Sequence, residues 1–154
     1  MFNSIIFKIK TVISMDLFEC KINYLSQLEN GSIARKNEVY LVDAMSFTEA
    51  ESRLQGELES LIPEYTVVAM KRSNVDAFTV DQAKEKFFKC KISYIANDPD
   101  SGKEKKVKEY ILVQADDFDD ATGKVDARME GTISDFEIDS ISKTPIVDIV
   151  QRNA

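Results

Sequence analysis

Cys20 and Cys90 are the only thiols of this chain. They stand at matching places, in Phe18-Glu19-Cys20-Lys21-Ile22-Asn23-Tyr24 and Phe88-Lys89-Cys90-Lys91-Ile92-Ser93-Tyr94. A redox pair or a thiolate metal site would use them together, but neither has a C-x-x-C partner. The chain also has no histidine, the commonest metal ligand and general acid–base. Each cysteine shares a strand face with apolar residues, so the expectation is two reduced, buried, small hydrophobes. Asp116, Asp117, Asp119 and Asp120 form the densest acidic cluster. Carboxylates so spaced could hold magnesium or calcium. They precede an apolar helical stripe, where they can satisfy orphan amides and face the positive end of the helix dipole, so capping without a structural metal is expected. Asp98-Pro99-Asp100-Ser101-Gly102 superficially resembles a calcium loop. Its glycine stands fifth and a proline separates the aspartates, which a hairpin turn explains.

Lys103, Lys105, Lys106 and Lys108 form the densest basic run, near Tyr94 and Tyr110. Lysines on phosphates and rings under bases would make a single-stranded nucleic-acid groove, and these four are the candidate nucleic-acid-binding residues. The plainer account is a solvated strand end whose lysines discourage edge-to-edge pairing, since Glu104 and Glu109 interrupt the run. No Gly-rich phosphate loop, zinc signature or nucleophile elbow occurs. No spacing sets an activating base beside a serine or threonine. The chain is expected not to be an enzyme, and no cofactor is implied.

The elements that position these groups come from one unit written twice. The cysteine segments match at an offset of 88 − 18 = 70. Leu41-Val42 matches Leu112-Val113, Phe47 matches Phe118 and Ala50 matches Ala121 at 112 − 41 = 71. Tyr65-Thr66-Val67 pairs with Phe136-Glu137-Ile138 at the same offset. In the first copy Phe18, Cys20, Ile22 and Tyr24 share one face of a period-two strand. Asn30-Gly31 follows as a hairpin turn. A strand from about Glu38 to Ala44 holds Val39-Tyr40-Leu41-Val42, apolar on both faces, and should be central and covered on both sides. Ser46-Phe47-Thr48-Glu49 reads as a capping box, ahead of the stripe Phe47, Ala50, Leu54, Leu58 and Leu61. Pro63 ends that helix. A last strand, about Tyr65 to Lys71, sets Tyr65, Val67 and Ala69 opposite Thr66, Val68 and Met70. The second copy repeats the order, with the helical stripe Phe118, Ala121, Val125 and Met129.

The predicted architecture is α+β, a tandem duplication of a ββαβ unit with pseudo-two-fold symmetry, antiparallel sheets and one helix per unit. The predicted organisation is an N-terminal extension 1–14, a first unit 15–74, a linker 75–86, a second unit 87–143 and a C-terminal tail 144–154, together one compact domain. The extension reads either as an upstream segment before an alternative start at Met15 or as an extra edge strand in which Ile5, Phe7 and Ile9 alternate with lysines.

The net charge is −7. Residues 1–80 carry 8 basic and 11 acidic side chains, and residues 81–154 carry 12 and 16, so neither half is basic overall. Two cysteines are too few for a secreted disulfide scaffold. No apolar run reaches the roughly 20 residues that span a bilayer, and no signal peptide is expected. A soluble cytoplasmic protein with no membrane association is the expectation.

Phe18-Glu19-Cys20-Lys21, then the run Tyr40 to Glu51 (YLVDAMSFTEAE), then Thr66-Val67-Val68-Ala69-Met70-Lys71-Arg72 resemble the domain of unknown function 4494 family of Bacteroidetes-type bacteria and their phages. Leu112-Val113-Gln114-Ala115 and Thr144-Pro145-Ile146-Val147-Asp148 fit it too. The resemblance spans about residues 16–150. It implies a small intracellular bacterial or phage protein (host cytoplasm if phage-encoded) and brings no activity and no functional residues. Repeated α+β units also occur in single-stranded DNA-binding coactivator-like phage proteins, but those place the helix after the strands. The expected function is a non-catalytic binding or assembly module with an unknown protein partner or self-association. The alternatives are a single-stranded nucleic-acid accessory protein and a small-metabolite protein with a pocket between the halves.

Overall fold

The computed structural model describes residues 16–131 and 135–152, so the extension 1–14 and its proposed edge strand lie outside the described residues. The chain divides into two compact units. Of the described residues, the first holds 16–74 together with 145–152, and the second holds 75–131 and 135–144.

In the first unit, β1 (Leu17–Gln27) and β2 (Ile33–Asp43) form an antiparallel hairpin, α1 (Phe47–Leu58) follows, and β3 (Thr66–Arg72) pairs with β1. The second unit opens on a short strand, β4 (Ala77–Thr79). The hairpin of β5 (Lys86–Asn97) and β6 (Glu104–Ala115), the helix α2 (Phe118–Met129) and β7 (Phe136–Lys143) then repeat the first unit's order. The last strand, β8 (Ile146–Val150), returns to the first unit. The sheets run β3-β1-β2-β8 and β4-β6-β5-β7. Both are antiparallel except at one edge, where β8 runs parallel to β2 and β4 parallel to β6. This is the expected α+β duplication of ββαβ, with one addition.

The addition corrects the expectation that residues 75–86 are a linker and 144–154 a tail. Each carries a strand that completes a sheet. Asp148 pairs with Tyr40 and Ala77 with Ile111, and both differences are 71: 148 − 77 and 111 − 40. The repeat is therefore ββαββ, and the fifth element of each copy completes the sheet built on the other copy's hairpin. Without them β2 and β6 would be edge strands. With them β2 and β6 are interior, as their apolar faces require.

The alternation read from the sequence holds in the hairpins. Phe18, Cys20 and Ile22 join Tyr40, Val42 and Ala44 and the α1 stripe Ala50, Leu54 and Leu58 in one core. Phe88, Cys90, Ile92, Ile111, Val113 and Ala115 join Ala121, Val125 and Met129 in the other. Leu41 and Leu112 point to the opposite face and are also fully buried. Each large side chain so buried contributes about 1.5–3 kcal/mol.

Two expected positions are corrected. Leu61 is not on the helical stripe, because α1 ends at Leu58 and the amides of Leu61 and Ile62 both bond back to the Leu58 carbonyl. That turn places Ile62 against the core and leaves Leu61 exposed. Met70 does not lie opposite Val67. Lys21 pairs with Ala69 but Ile22 pairs with Val67, so Val68 is an extra, bulged residue that returns Met70 to the core face. The second unit has the same bulge at Asp139, between Ser140 and Ile138, and Ile141 packs inward as Met70 does.

Candidate functional site

The four candidate lysines do not converge. Lys103 precedes β6, and along β6 Lys106, Lys108 and Tyr110 lie on the face opposite α2, while Lys105, Val107 and Glu109 lie on the helix side. The face that carries Lys106 and Lys108 gains two cations from outside that run, Lys89 and Lys91 of β5. Their ammonium groups sit 5.3 and 6.0 Å from the Tyr110 ring centroid, within cation–π range. The sequence carries a signal for them, since Lys89, Lys91 and Ser93 are the alternates of Phe88, Cys90 and Ile92. Glu104 and Glu137 share this face by register, and the Asp76 carboxylate accepts the Tyr110 amide at 2.8 Å. The field there is mixed in sign rather than uniformly basic.

Tyr94 does not join Tyr110, because it sits on the helix side and packs against the core. Its hydroxyl donates to Glu109 at 2.6 Å. Burial first, and then the hydrogen bond and charge of Glu109, push its phenol up to about 12. The first unit repeats the pair, with Tyr24 donating to Glu38, a carboxylate that also accepts from Tyr40 at 3.2 Å. Tyr24 is likewise pushed up to about 12. Beside Tyr94, where β7 begins, an open recess of about 450 Å³ is lined by Ser93, Tyr94, Ile95, Lys106, Asp135, Phe136 and Glu137. Its Ser93 hydroxyl is committed to Asp139 at 3.1 Å, so the bulge residue satisfies a buried polar group. This recess lies within one unit.

Asp116, Asp117 and Asp120 of the acidic cluster are used as caps and ion-pair partners. The Asp117 side chain accepts the Asp120 amide at 2.8 Å, and Asp120 reaches back to the Asp116 amide at 2.9 Å. Ser46 and Glu49 make the same reciprocal pair in the first unit, Ser46 with the Glu49 amide and Glu49 with the Met45 amide, both at 3.1 Å. Asp116 is further bound by Lys84 at 2.5 Å. Lys124 pairs with Asp81 at 2.8 Å and donates to the Gln114 carbonyl at 2.6 Å. The backbone hydrogen bond from Asp116 comes first among the effects that lower the Asp120 carboxyl. Among the described residues, no three Cys, Asp or Glu side chains gather as a set of metal ligands.

Asp98 folds the tip of the second hairpin. It accepts the Asp100 amide on its side chain at 2.9 Å and the Gly102 amide on its carbonyl at 2.8 Å, and Gly102 takes a φ of 69°. Cys20 and Cys90 are fully buried and free. Desolvation pushes both thiols up to about 11, with the Glu19 and Glu51 charges adding to it at Cys20.

The clearest difference between the copies is at the hairpin tips. The β3 pairing stops at Asn23 and the β7 pairing at Tyr94, so both hairpins continue past their third strand. In the first unit the extension carries Leu25, Leu28 and Ile33, exposed to 61, 47 and 69 %, with Arg35 and Lys36 across from Leu25 and Tyr24. Leu25 and Ile33 are diagonal neighbours on one face. In the second unit the equivalent extension carries Ile95, the lysines at 103, 105 and 106, and the acids Asp98, Asp100 and Glu104. In the sequence alone the apolar tip residues read as a continuation of strand alternation, with no mark that sets them apart.

No helix among the described residues is long and apolar enough to cross a membrane. The sequence model of a family described as Domain of unknown function (DUF4494) matches residues 16–152. No curated protein matches the chain.

Proposed function

Since the chain belongs to the domain of unknown function 4494 family, which brings no activity with it, we propose that it is a non-catalytic binding or assembly module acting through its projecting hairpins. One observation carries this reading: a duplicated scaffold whose cores are alike but whose hairpin extensions differ, with exposed Leu25, Leu28 and Ile33 on the first and Ile95 among lysines and acids on the second. Surface that is free of packing demands, held on a rigid sheet, is where recognition accumulates. The apolar tip suits a protein partner, because exposed neighbouring aliphatic side chains gain most from being covered by another apolar surface. The reactive side-chain types support the absence of catalysis in a positive way. The thiols are held protonated by burial, and Asp116, Asp117 and Asp120 are engaged by amides and lysines. A photo-crosslinking residue placed at Leu25 or Ile33 in the native host should capture one defined protein. The double variant Leu25→Ser with Ile33→Ser should lose that capture at unchanged melting temperature. Capture that survives the double variant would count against the hairpin as the contact.

A second reading, an accessory protein for single-stranded nucleic acid, has its own observation. Lys89 and Lys91 over Tyr110, with Lys106 and Lys108 on the same face, put cations beside an aromatic ring. Salt-dependent binding to an oligonucleotide separates the two readings.

A further inference from the structure

We infer that β8 is an exchangeable strand, and that the partner fitted to its seat on β2 is the β8 of a second copy of this chain. The topology is the first ground for this. β8 follows β7, a strand of the second unit, after only Thr144 and Pro145, yet its own place is in the first unit. Thr144 is anchored in the second unit, its amide and its hydroxyl both donating to the Phe87 carbonyl at 2.9 Å. Pro145 then fixes its own φ and holds Thr144 extended, so β8 leaves the second unit through a two-residue connection that runs on as extended chain. To the first unit, β8 is thus an added strand with no direct covalent link to its neighbour β2.

The seat is specific. Val39 pairs with Ile146, and Tyr40 to Val42 pair with Asp148 to Val150 in parallel register. Ile146, Ile149 and Val150 are buried. Arg152 Nε closes the end on Asp43 Oδ1 at 3.0 Å. An empty seat would leave β2 a bare edge carrying Leu41 and Val42, two residues that the completed sheet buries fully. The β8 of another copy can make these same interactions, so exchange costs no pairing and is a low-cost route to a dimer. Concentration decides between the closed and exchanged forms. A short tether gives an effective concentration on the order of mM, so the closed monomer holds at µM and exchange competes as protein approaches about 1 mM.

The test uses the full chain carrying Arg152→Lys, which leaves a cation beside Asp43 that a zero-length carbodiimide can join to it. Ordinary and nitrogen-15-labelled preparations are unfolded, mixed and refolded at about 1 mM and at about 10 µM, on either side of the effective concentration. Monomer and dimer fractions are cross-linked, digested and weighed. The expected result is a dimer from the concentrated sample only, with mixed-isotope links between positions 43 and 152, and a monomer with same-isotope links alone. A dimer holding only same-isotope links is surface association and overturns the inference, as does the lack of any dimer at about 1 mM. Disappearance of the 43–152 link from both fractions, while the Lys124–Asp81 pair still cross-links, removes the β2–β8 latch and the inference with it.

Discussion

Asp43 Oδ1 and Arg152 Nε lie 3.0 Å apart although 109 positions separate them. The same place in the second unit holds Gln114 and Asp81, where the Asp81 amide donates to the Gln114 side chain at 3.0 Å. The offsets agree, since 114 − 43 and 152 − 81 are both 71. Both units therefore tie the segment after the parallel edge strand to the end of the central strand, one by an ion pair and one by an amide.

Asp43 is buried, so removing its partner leaves a carboxylate with little access to water. Arg152→Ala should destabilise the first unit by about 1–3 kcal/mol, the usual cost of stranding a buried polar group. Urea unfolding checks this. A change within about 0.5 kcal/mol, typical of an indifferent surface substitution, would mean that the latch contributes nothing.

Much of this arrangement is legible in the sequence, and the illegible part has a physical cause. Phe18, Cys20 and Ile22, and Ala50, Leu54 and Leu58, can be assigned because a strand and a helix impose local periods of 2 and 3.6 on their buried faces. The bulges at Val68 and Asp139 cannot, because an extra residue shifts the face of everything beyond it and leaves no composition mark. β4 and β8 are hidden for another reason. They are three and five residues long and pair in parallel with distant strands, so no hairpin turn announces them. The offset of 71 runs on through Val75 and Ile146 and through Phe78 and Ile149, which is the signal that could reveal them. At the site, counting lysines along β6 omits Lys89 and Lys91, because a strand face draws on neighbouring strands.

The helix caps are expected to be interchangeable between copies. Ser46→Ala and Asp117→Ala should each cost about 1 kcal/mol, since each cap accepts one otherwise orphaned amide. Asp117→Ser should recover most of the loss in the second unit. A chelator should leave the melting temperature unchanged if the aspartates serve only as caps. A drop reversed by one divalent ion would assign them a metal instead.

The thiols and the Tyr–Glu pairs give an alkaline prediction. Cys20 and Cys90 have an ordinary value of 9.0 and rise to about 11 when folded, while Tyr24 and Tyr94 rise from 10.0 to about 12. The folded state thus prefers the protonated forms. Stability from these groups is fully present below pH 9.0, and declines as pH rises from there toward about 12, where the unfolded chain holds fewer protons. Unfolding free energy measured from pH 8 upward should be flat and then fall. Cys20→Ala with Cys90→Ala should delay the fall, and native thiols should resist a bulky reagent at pH 8. Rapid labelling there would contradict the burial.

The riskiest prediction concerns the lysines. If single-stranded nucleic acid is bound, replacing Lys103, Lys105, Lys106 and Lys108 with glutamine should flatten the log-affinity against log-salt slope. The change should be about 0.7 for each phosphate that the chain no longer neutralises. Affinity should fall across sequences rather than at one base, because lysine–phosphate pairs carry charge and no base pattern. The strand geometry divides the four. Lys106 and Lys108 share a face with Lys89, Lys91 and Tyr110, whereas Lys105 faces the helix side and Lys103 lies outside β6. The pair Lys106→Gln with Lys108→Gln should therefore remove more affinity than Lys103→Gln with Lys105→Gln, and Tyr110→Leu should weaken binding at an unchanged salt slope. Equal losses from the two lysine pairs would mean a diffuse charge effect. No affinity of the unmodified chain for single-stranded DNA or RNA at low salt would end the nucleic-acid reading, and the hairpin lysines would then act as solvated protection of a strand end.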